Sequence, residues 1–297
     1  MFSGAMTAMV TPFREGKLDE NRLREQVEYQ IKNGIDALVP VGTTGESPTL
    51  DFKEHARVIE LTVQFARGRV PVIAGVGANA TSEALELHQI AKRVGATAGL
   101  SVNPYYNKPT QEGLVQHYQA IAKAVRIPIV VYSVQGRTGI NVEPATLARL
   151  AQIPNIIGVK EASGNIGQMA NVIQEVPPGF TVLCGDDAIA LPLIALGGRG
   201  LISVVSNEIP GEMTQLIQAC LKNDFETARA LQARYLPLMN VNFVESNPIP
   251  VKAAMGLMGL LEPVYRLPLC APSPANLARI EKVLAAVGLL GKVRVAS

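Results

Sequence analysis

The chain has 297 residues, 48% of them hydrophobic, and a formal net charge of only +2. This length can bury a large core in one or two domains, and the near-neutral charge without a basic block argues against nucleic acid or an anionic membrane surface as a partner. The longest apolar runs, such as "IPIVVY", are far shorter than the ~20 residues that a membrane-spanning helix needs.

Two features predict a location inside the cell. The opening segment "MFSGAMTAMVTPF" has no charged region ahead of a long apolar stretch, so no secretory signal is expected. The cysteines Cys184, Cys220 and Cys270 are widely spaced and odd in number, as expected for unpaired thiols in a reducing compartment. We therefore predict a soluble, cytoplasmic protein.

Short apolar runs rich in β-branched residues alternate with amphipathic stretches of helical period. The first predicted helix begins after Asp19, a good N-cap, and closes at Gly34; another begins at Thr81 and closes at Gly95. The eight apolar runs are, in chain order, "GAMTAMV", "DALVPVG", "VPVIAGV", "AGLSVN", "IPIVVYS", "IIGVKEA", "FTVLCG" and "GLISVVS".

Strands that are apolar throughout and alternate with helices indicate a parallel sheet covered on both sides. Eight such units predict an α/β fold of the (β/α)₈ TIM-barrel type, whereas an open doubly wound sheet usually has fewer strands. We assign residues 1–223 to this catalytic barrel. Residues 224–297 are predicted to form a C-terminal helical domain packed against it.

The active site of such a barrel lies at the carboxyl ends of its strands, and Lys160 ends the sixth run, in "NIIGVKEAS". Alternation along the strand predicts that Lys160 shares the lumen face with Ile156 and Gly158. A solvated lysine paired with the adjacent Glu161 is the simpler interpretation. The alternative is an amine that attacks a carbonyl group to form a Schiff base, with Tyr132 on the neighbouring strand moving protons.

The turn "GTTGES" after the second strand offers backbone N–H groups and two threonine hydroxyls. Such a turn can hold a carboxylate or a phosphate, but taken alone it is more simply interpreted as an ordinary turn in which Ser47 caps the next helix. No lysine follows the glycine as in a P-loop, and the loops after the seventh and eighth strands lack a glycine-rich phosphate pattern. A carboxylate is therefore the favoured ligand.

No metal and no cofactor are predicted. The histidines fall on separate predicted helices without a ligand motif, and adjacent Asp186 and Asp187 are more typical of helix N-caps than of a cation site. The glycine-containing turns do not make a dinucleotide fingerprint. The residues alone thus favour a cofactor-free enzyme that uses a lysine amine on a small carboxylated carbonyl compound. The three histidines are His55, His88 and His117.

In chain order the sequence contains the motifs "GTTGES", "NPYYNKP", "RTG" after a strand-ending tyrosine, "IIGVKEASGN", "CGDD" and "NPIPVK". With these motifs the chain resembles, over essentially its whole length, the dihydrodipicolinate synthase family. The resemblance implies a (β/α)₈ barrel with a C-terminal helical domain. It also implies a lyase that condenses pyruvate with L-aspartate 4-semialdehyde to give 4-hydroxy-tetrahydrodipicolinate, in the diaminopimelate and lysine branch of amino-acid biosynthesis.

The resemblance also implies roles for individual residues. Lys160 would form the Schiff base with pyruvate, and Tyr132 would transfer protons through a relay with Thr43 and with a Tyr106 supplied by the partner of a tight dimer. Thr43 and Thr44 would hold the pyruvyl carboxylate. The remaining substrate-binding positions are Arg137, for the semialdehyde carboxylate, and Gly185 and Ile202, whose backbones would line the pocket.

The same resemblance implies a homo-oligomer and a regulatory site. Family members are commonly tetramers built from two tight dimers, although some stop at the dimer. Feedback-inhibited members bind lysine at a dimer-interface cleft, but here Phe52 and Pro48 stand where some inhibited members have histidine and alanine. We expect inhibition by lysine, and weak inhibition at that. The matching positions are Ser47, His55, Asn79, Glu83 and Tyr105.

The loop after the fifth strand departs from the family pattern Y-N-V-P-S-R-T-G, since Ser133, Gln135 and Gly136 replace Asn, Pro and Ser. Loss of proline and gain of glycine should loosen the loop, so we expect weaker positioning of Arg137 and a raised Michaelis constant for the semialdehyde.

Two alternatives remain. One is an N-acetylneuraminate lyase or a 2-keto-3-deoxy sugar acid aldolase of the same superfamily, which typically lacks an arginine at the position of Arg137. The other is a non-catalytic sensor, which would be expected to have lost at least one of Thr43, Tyr106, Tyr132 and Lys160.

Overall fold

The computed structural model describes residues 2–290 and contains a closed parallel barrel. β1 lies between β2 and β8, each later strand pairs with its neighbour in sequence, and a parallel bridge from Leu38 to Val72 joins β2 to β3. The predicted (β/α)₈ fold is confirmed. The barrel strands are β1 (Gly4–Ala8), β2 (Ala37–Val39), β3 (Ile73–Gly75), β4 (Ala98–Val102), β5 (Ile129–Ser133), β6 (Ile156–Glu161), β7 (Thr181–Cys184) and β8 (Gly200–Ser203). A short antiparallel hairpin, Phe13–Arg14 paired with Lys17–Leu18, lies outside the barrel sheet.

Helices surround the barrel and continue past its last strand. Asp19 accepts a hydrogen bond from the Arg22 backbone N–H at 3.0 Å and caps the first helix, as predicted. Between residues 2 and 290 no helix has the length and apolar character to cross a membrane. The helices are α1 (Glu20–Lys32), α2 (Phe52–Ala66), α3 (Thr81–Arg93), α4 (Gln111–Ala124), α5 (Gln135–Thr138), α6 (Pro144–Leu150), α7 (Ile166–Glu175), α8 (Ala190–Ala195), α9 (Pro210–Leu221), α10 (Phe225–Val241), α11 (Ile249–Leu257) and α12 (Pro274–Ala286).

The predicted domain boundary at residues 223 and 224 falls in the turn between α9 and α10, where Asp224 caps α10. α10 packs against both α9 and α12, and α11 packs against α12. The division into a barrel and a helical domain stays a prediction, and residues 291–297 lie outside the described part of the chain.

Two apolar layers hold the barrel together. A large core fills the space between strands and helices, and a smaller lumen core fills the inside of the barrel, as expected when every strand is buried on both faces. The lumen core includes Met6, Ile73, Leu100, Val130, Leu183 and Ile202, all between 0% and 3% exposed.

The prediction that Ile156 shares the lumen face of β6 with Lys160 is wrong. Ile156 pairs with Ile129 on β5, but the next pair is Gly158 with Val130, so Ile157 is an extra residue in the strand. This bulge reverses the alternation. Ile156 consequently packs in the outer core, while Ile157 packs against the lumen core. Lys160 lies beyond the bulge and keeps the lumen orientation.

Candidate active site

Lys160 is buried at the carboxyl end of β6, with 5% of its surface exposed. Its Cα pairs with that of Tyr132 on β5, and its Nζ lies 4.3 Å from the centroid of the Tyr132 ring. Among residues 2–290, no carboxylate lies within ion-pair distance of this nitrogen. Buried charges are normally paired, so an unpaired lysine that faces a cavity is a candidate for chemistry.

Glu161 is not the partner of Lys160. Alternation turns its carboxylate to the helix side, where it accepts hydrogen bonds from Gln168 Nε2 at 2.7 Å and from the Ser163 backbone N–H at 3.2 Å. Burial raises the pKa of Glu161, and these hydrogen bonds oppose the shift. The interpretation of Lys160 as a solvated lysine paired with its neighbour is therefore wrong.

Gly185 makes room for the Lys160 side chain. An added Cβ at residue 185 would lie 2.9 Å from Lys160 Cε and 2.6 Å from Ala162 Cβ. Both distances are shorter than carbon atoms tolerate, so any larger residue must displace the lysine.

We expect Gly185→Ala to lower kcat/KM at least about tenfold, because the amine must leave its position in a packed site. The measurement is initial rates together with a melting curve. Gly211→Ala is the control, since an added Cβ there meets no heavy atom closer than 3.7 Å. Equal activity of the two variants would show that Gly185 does not set the position of Lys160.

The turn after β2 is tightly built. Val41 and Glu46 have φ angles of +50° and +54°, which is unusual for a β-branched residue and a residue with a long side chain. Gly45 approaches the Val41 backbone so closely that a Cβ would lie 2.9 Å from it. Such strain is typical of functional turns. Ser47 begins a 3₁₀ turn and does not cap α2; Asp51 does, so that interpretation of Ser47 is wrong.

Asn247, which the sequence analysis did not identify, connects the turn after β2 with the loop after β5. Its side-chain N–H donates to Thr44 Oγ1 at 3.0 Å, and its backbone carbonyl accepts from Arg137 Nη2 at 3.1 Å. The motif "NPIPVK" was visible in the sequence. Asn247 reaches the carboxyl end of the barrel because the residues after β8 pack back against it. The periodicity of a single segment does not predict such packing.

The loop after β5, predicted to be loose, forms the short helix α5, and Thr138 Oγ1 donates to the Val134 carbonyl at 3.1 Å. This hydrogen bond and the one between Arg137 and Asn247 hold the loop at two positions. A raised Michaelis constant for the semialdehyde stays a prediction.

A cavity of about 130 Å³ opens at this end of the barrel and brings most of the predicted residues together. Ile202 does not line its described surface and is fully buried in the lumen core. Tyr106 also lies outside this lining, with 88% of its surface exposed and φ of +72°. The predicted residues that line the cavity are Thr43, Thr44, Tyr132, Arg137, Lys160 and Gly185.

A second cavity of about 110 Å³ lies between α2 and α3 and contains most of the predicted regulatory positions. His55 Nε2 contacts the Gly75 carbonyl at 2.7 Å, and burial lowers the pKa of His55. Burial, and then the nearby Glu83 carboxylate, raise the pKa of Tyr105. Asn79 does not line the described surface of this cavity. The members present are Ser47, His55, Glu83 and Tyr105, with Pro48 and Phe52.

The three histidines lie on α2, α3 and α4, as predicted. Burial lowers the pKa of His88 and of His117 to about 4. Asp186 accepts from the Ala188 backbone N–H at 2.9 Å and caps a 3₁₀ turn, as predicted. Asp187 instead is buried and accepts from Ser203 Oγ and from the Val204 N–H. Within residues 2–290, no three His, Cys, Asp or Glu side chains are grouped as metal ligands.

Comparison with known proteins agrees with this geometry. The sequence model of the dihydrodipicolinate synthetase family matches residues 1–287. A 4-hydroxy-tetrahydrodipicolinate synthase from Koribacter versatilis is 52% identical over 295 residues, which are 99% of this chain and 98% of that protein.

Two solved structures superpose closely. Dihydrodipicolinate synthase from Aquifex aeolicus has a TM-score of 0.96 at 44% identity, over 97% of this chain and 99% of that chain. The enzyme from Cyanidioschyzon merolae, solved with lysine bound, has a TM-score of 0.94 at 39% identity, over 97% of this chain and 99% of that chain.

Proposed function

The chain belongs to the dihydrodipicolinate synthetase family, and on that premise we propose that it condenses pyruvate with L-aspartate 4-semialdehyde through a Schiff base on Lys160. The observation that carries this proposal is the buried, unpaired Lys160 amine beside the Tyr132 ring, at a cavity that suits a small substrate. The product is 4-hydroxy-tetrahydrodipicolinate, a precursor of diaminopimelate and lysine.

The Lys160 amine attacks the ketone carbon of pyruvate, and loss of water gives an imine. Because the protonated imine is an electron sink, a methyl proton leaves and an enamine forms. Its carbon attacks the aldehyde of the semialdehyde to form the new carbon–carbon bond. The substrate's own amine then attacks the imine carbon, closes the ring and releases Lys160.

Thr43, Thr44 and Arg137 supply the polar groups that hold the substrates. The two threonines lie in the turn after β2, whose hydroxyl and backbone N–H groups suit the pyruvyl carboxylate. Arg137 lines the cavity, and its planar guanidinium suits the carboxylate of the semialdehyde. The backbone of Gly185 would complete the wall, whereas Ile202 lies outside the described lining.

Proton transfer is assigned to Tyr132 and Thr43, with Tyr106 of a second copy of the chain as the third member of the relay. The exposed Tyr106 ring and its left-handed backbone support this assignment, since a large exposed aromatic side chain is typical of an interface. We therefore propose a tight dimer, and a tetramer of two such dimers, testable by sedimentation velocity. The unpaired thiols support a cytoplasmic location.

The test is turnover of pyruvate with aspartate semialdehyde, coupled to the next reductase of the pathway. Robust turnover establishes the synthase. A pyruvate adduct on Lys160 that borohydride traps, without turnover, would keep the imine chemistry. It would indicate a sugar-acid aldolase with a different aldehyde. Absence of any adduct would favour the sensor.

The second cavity supports a regulatory role, with lysine as the inhibitor. Glu83 would meet the lysine ammonium group, and Tyr105 its carboxylate. Ser47 and His55 would complete the lining.

We expect millimolar lysine to lower the initial rate, and Glu83→Gln to weaken that inhibition at least about tenfold, because a charge-assisted contact is lost. Rates without lysine should stay unchanged in the variant. Glu86→Gln, at an exposed position of the same helix that does not line this cavity, is the matched control and should leave inhibition intact. Rates of the wild type that do not respond to lysine would refute the regulatory site.

A further inference from the structure

The buried pair of Glu46 and Lys252 lies outside the cavity and has no role in the chemistry above. Glu46 belongs to the turn after β2, Lys252 to α11, and both side chains are 0% exposed. Their Nζ–Oε1 distance is 2.5 Å. A buried ion pair is weak evidence for stability, since apolar residues of similar volume often serve equally well. Its presence here therefore calls for another explanation.

Lys252 is fully engaged. Besides Glu46, its Nζ donates to the carbonyls of Val264 at 2.6 Å and Thr11 at 3.2 Å, which uses all three donors of an ammonium group. The nitrogen also lies 4.6 Å from the centroid of the Phe13 ring. These contacts fix the Lys252 ammonium group, and the ion pair with it fixes the Glu46 carboxylate.

Because Lys252 holds the Glu46 side chain, the Glu46 backbone is also held in place next to the substrate-binding threonines. Its backbone N–H donates to the Thr43 carbonyl at 3.1 Å, and it holds the left-handed φ of +54° that closes the turn. Five residues before Lys252, Asn247 donates to Thr44 Oγ1 and accepts from Arg137. One short segment, residues 247–252, therefore holds both threonines and the arginine.

We propose that Glu46 and Lys252 are positioning residues, and that through them α11 sets the place of Thr43 and Thr44 for the pyruvyl carboxylate. The kinetic part rests on the proposed function; the structural part does not. The strain in this turn, with Val41 also at positive φ, explains why a fixed anchor is needed, because strained backbone persists only where its surroundings determine it.

The test uses Glu46→Gln together with Lys252→Met, because removing both charges leaves none unpaired and the protein should stay folded. We expect the Gly45 and Glu46 amides to exchange hydrogen at least tenfold faster, and the pyruvate KM to rise at least tenfold, without a matching loss of thermal stability. Glu46→Gln alone, which still offers Lys252 an acceptor, should show smaller changes in the same direction.

Glu54→Gln is the matched control, since it breaks another ion pair between α2 and the C-terminal segment, Arg266 Nη2 to Glu54 Oε1 at 2.6 Å. It should alter stability but neither the exchange of the turn nor the pyruvate KM. Unchanged exchange in the double variant, or faster exchange with an unchanged pyruvate KM, overturns the proposal. If the wild type itself neither turns over nor traps pyruvate, the proposed function is wrong, while the exchange still decides whether the pair positions the turn.

Discussion

Replacing Lys160 with methionine should abolish the borohydride-trapped pyruvate adduct and lower turnover by about 10⁴-fold or more, the order of loss seen when a covalent nucleophile is removed. Methionine has a similar length and is apolar, so it suits the space between Tyr132 and Gly185. The folded structure should survive, because Lys160 has no ion-pair partner within the described residues whose charge would be left unpaired.

The measurement combines initial rates with mass spectrometry of the reduced protein. Lys123→Met, at an exposed position of α4, is the control and should keep both adduct and turnover. An adduct that persists in the Lys160 variant would assign the chemistry to another amine. The buried Lys252 is the first residue to examine in that case, although its three hydrogen bonds leave no free donor.

The barrel could be predicted because its determinants are local. Each strand is almost entirely apolar, and half of the described helices carry a side-chain cap of their own, as Asp19 shows for α1. The orientation of Lys160 was also predicted correctly, but partly for the wrong reason. The bulge at Ile157 moves Ile156 to the outer core, and a single extra residue in a strand leaves no trace in an apolar sequence, because both faces are buried.

The contacts of the site with the C-terminal helices could not be predicted. Asn247 and Lys252 meet Thr44 and Glu46 across about two hundred positions of the chain. Such pairs depend on how α11 docks on the barrel, and periodicity within a segment carries no information about docking. The same limit applies to Glu208, which follows β8 and is buried by packing that no local pattern predicts.

Glu208 is a buried carboxyl with no role in the proposed chemistry. Its side chain is 0% exposed, and one oxygen accepts from Asn242 Nδ2 at 2.6 Å. The other has no partner within the described residues. Burial raises the pKa of Glu208 to about 8, opposed by the Asn242 bond and reinforced by the nearby Asp187 carboxylate. The folded protein therefore holds this proton at neutral pH.

The sign of the pH dependence follows from linkage. Between the ordinary pKa of 4.5 and the folded value of about 8, the folded state binds more protons than the unfolded state, so Glu208 lowers stability as the pH rises. Above pH 8 both states are ionised and the loss levels off. Asp187, whose pKa burial raises to about 6, acts in the same direction over a lower range.

Glu208→Gln should therefore stabilise the protein increasingly with pH. Glutamine keeps an acceptor for Asn242 and never ionises, so the gain over the wild type should be small near pH 5 and reach roughly a few kcal/mol near pH 9. Denaturant unfolding at each pH measures it, and the difference between variants cancels the titration of His88 and His117. Glu226→Gln, exposed on α10, should give a difference that stays constant with pH. A constant difference for Glu208→Gln as well would mean that this carboxyl ionises as readily in the folded protein as in the unfolded chain, and that water reaches it.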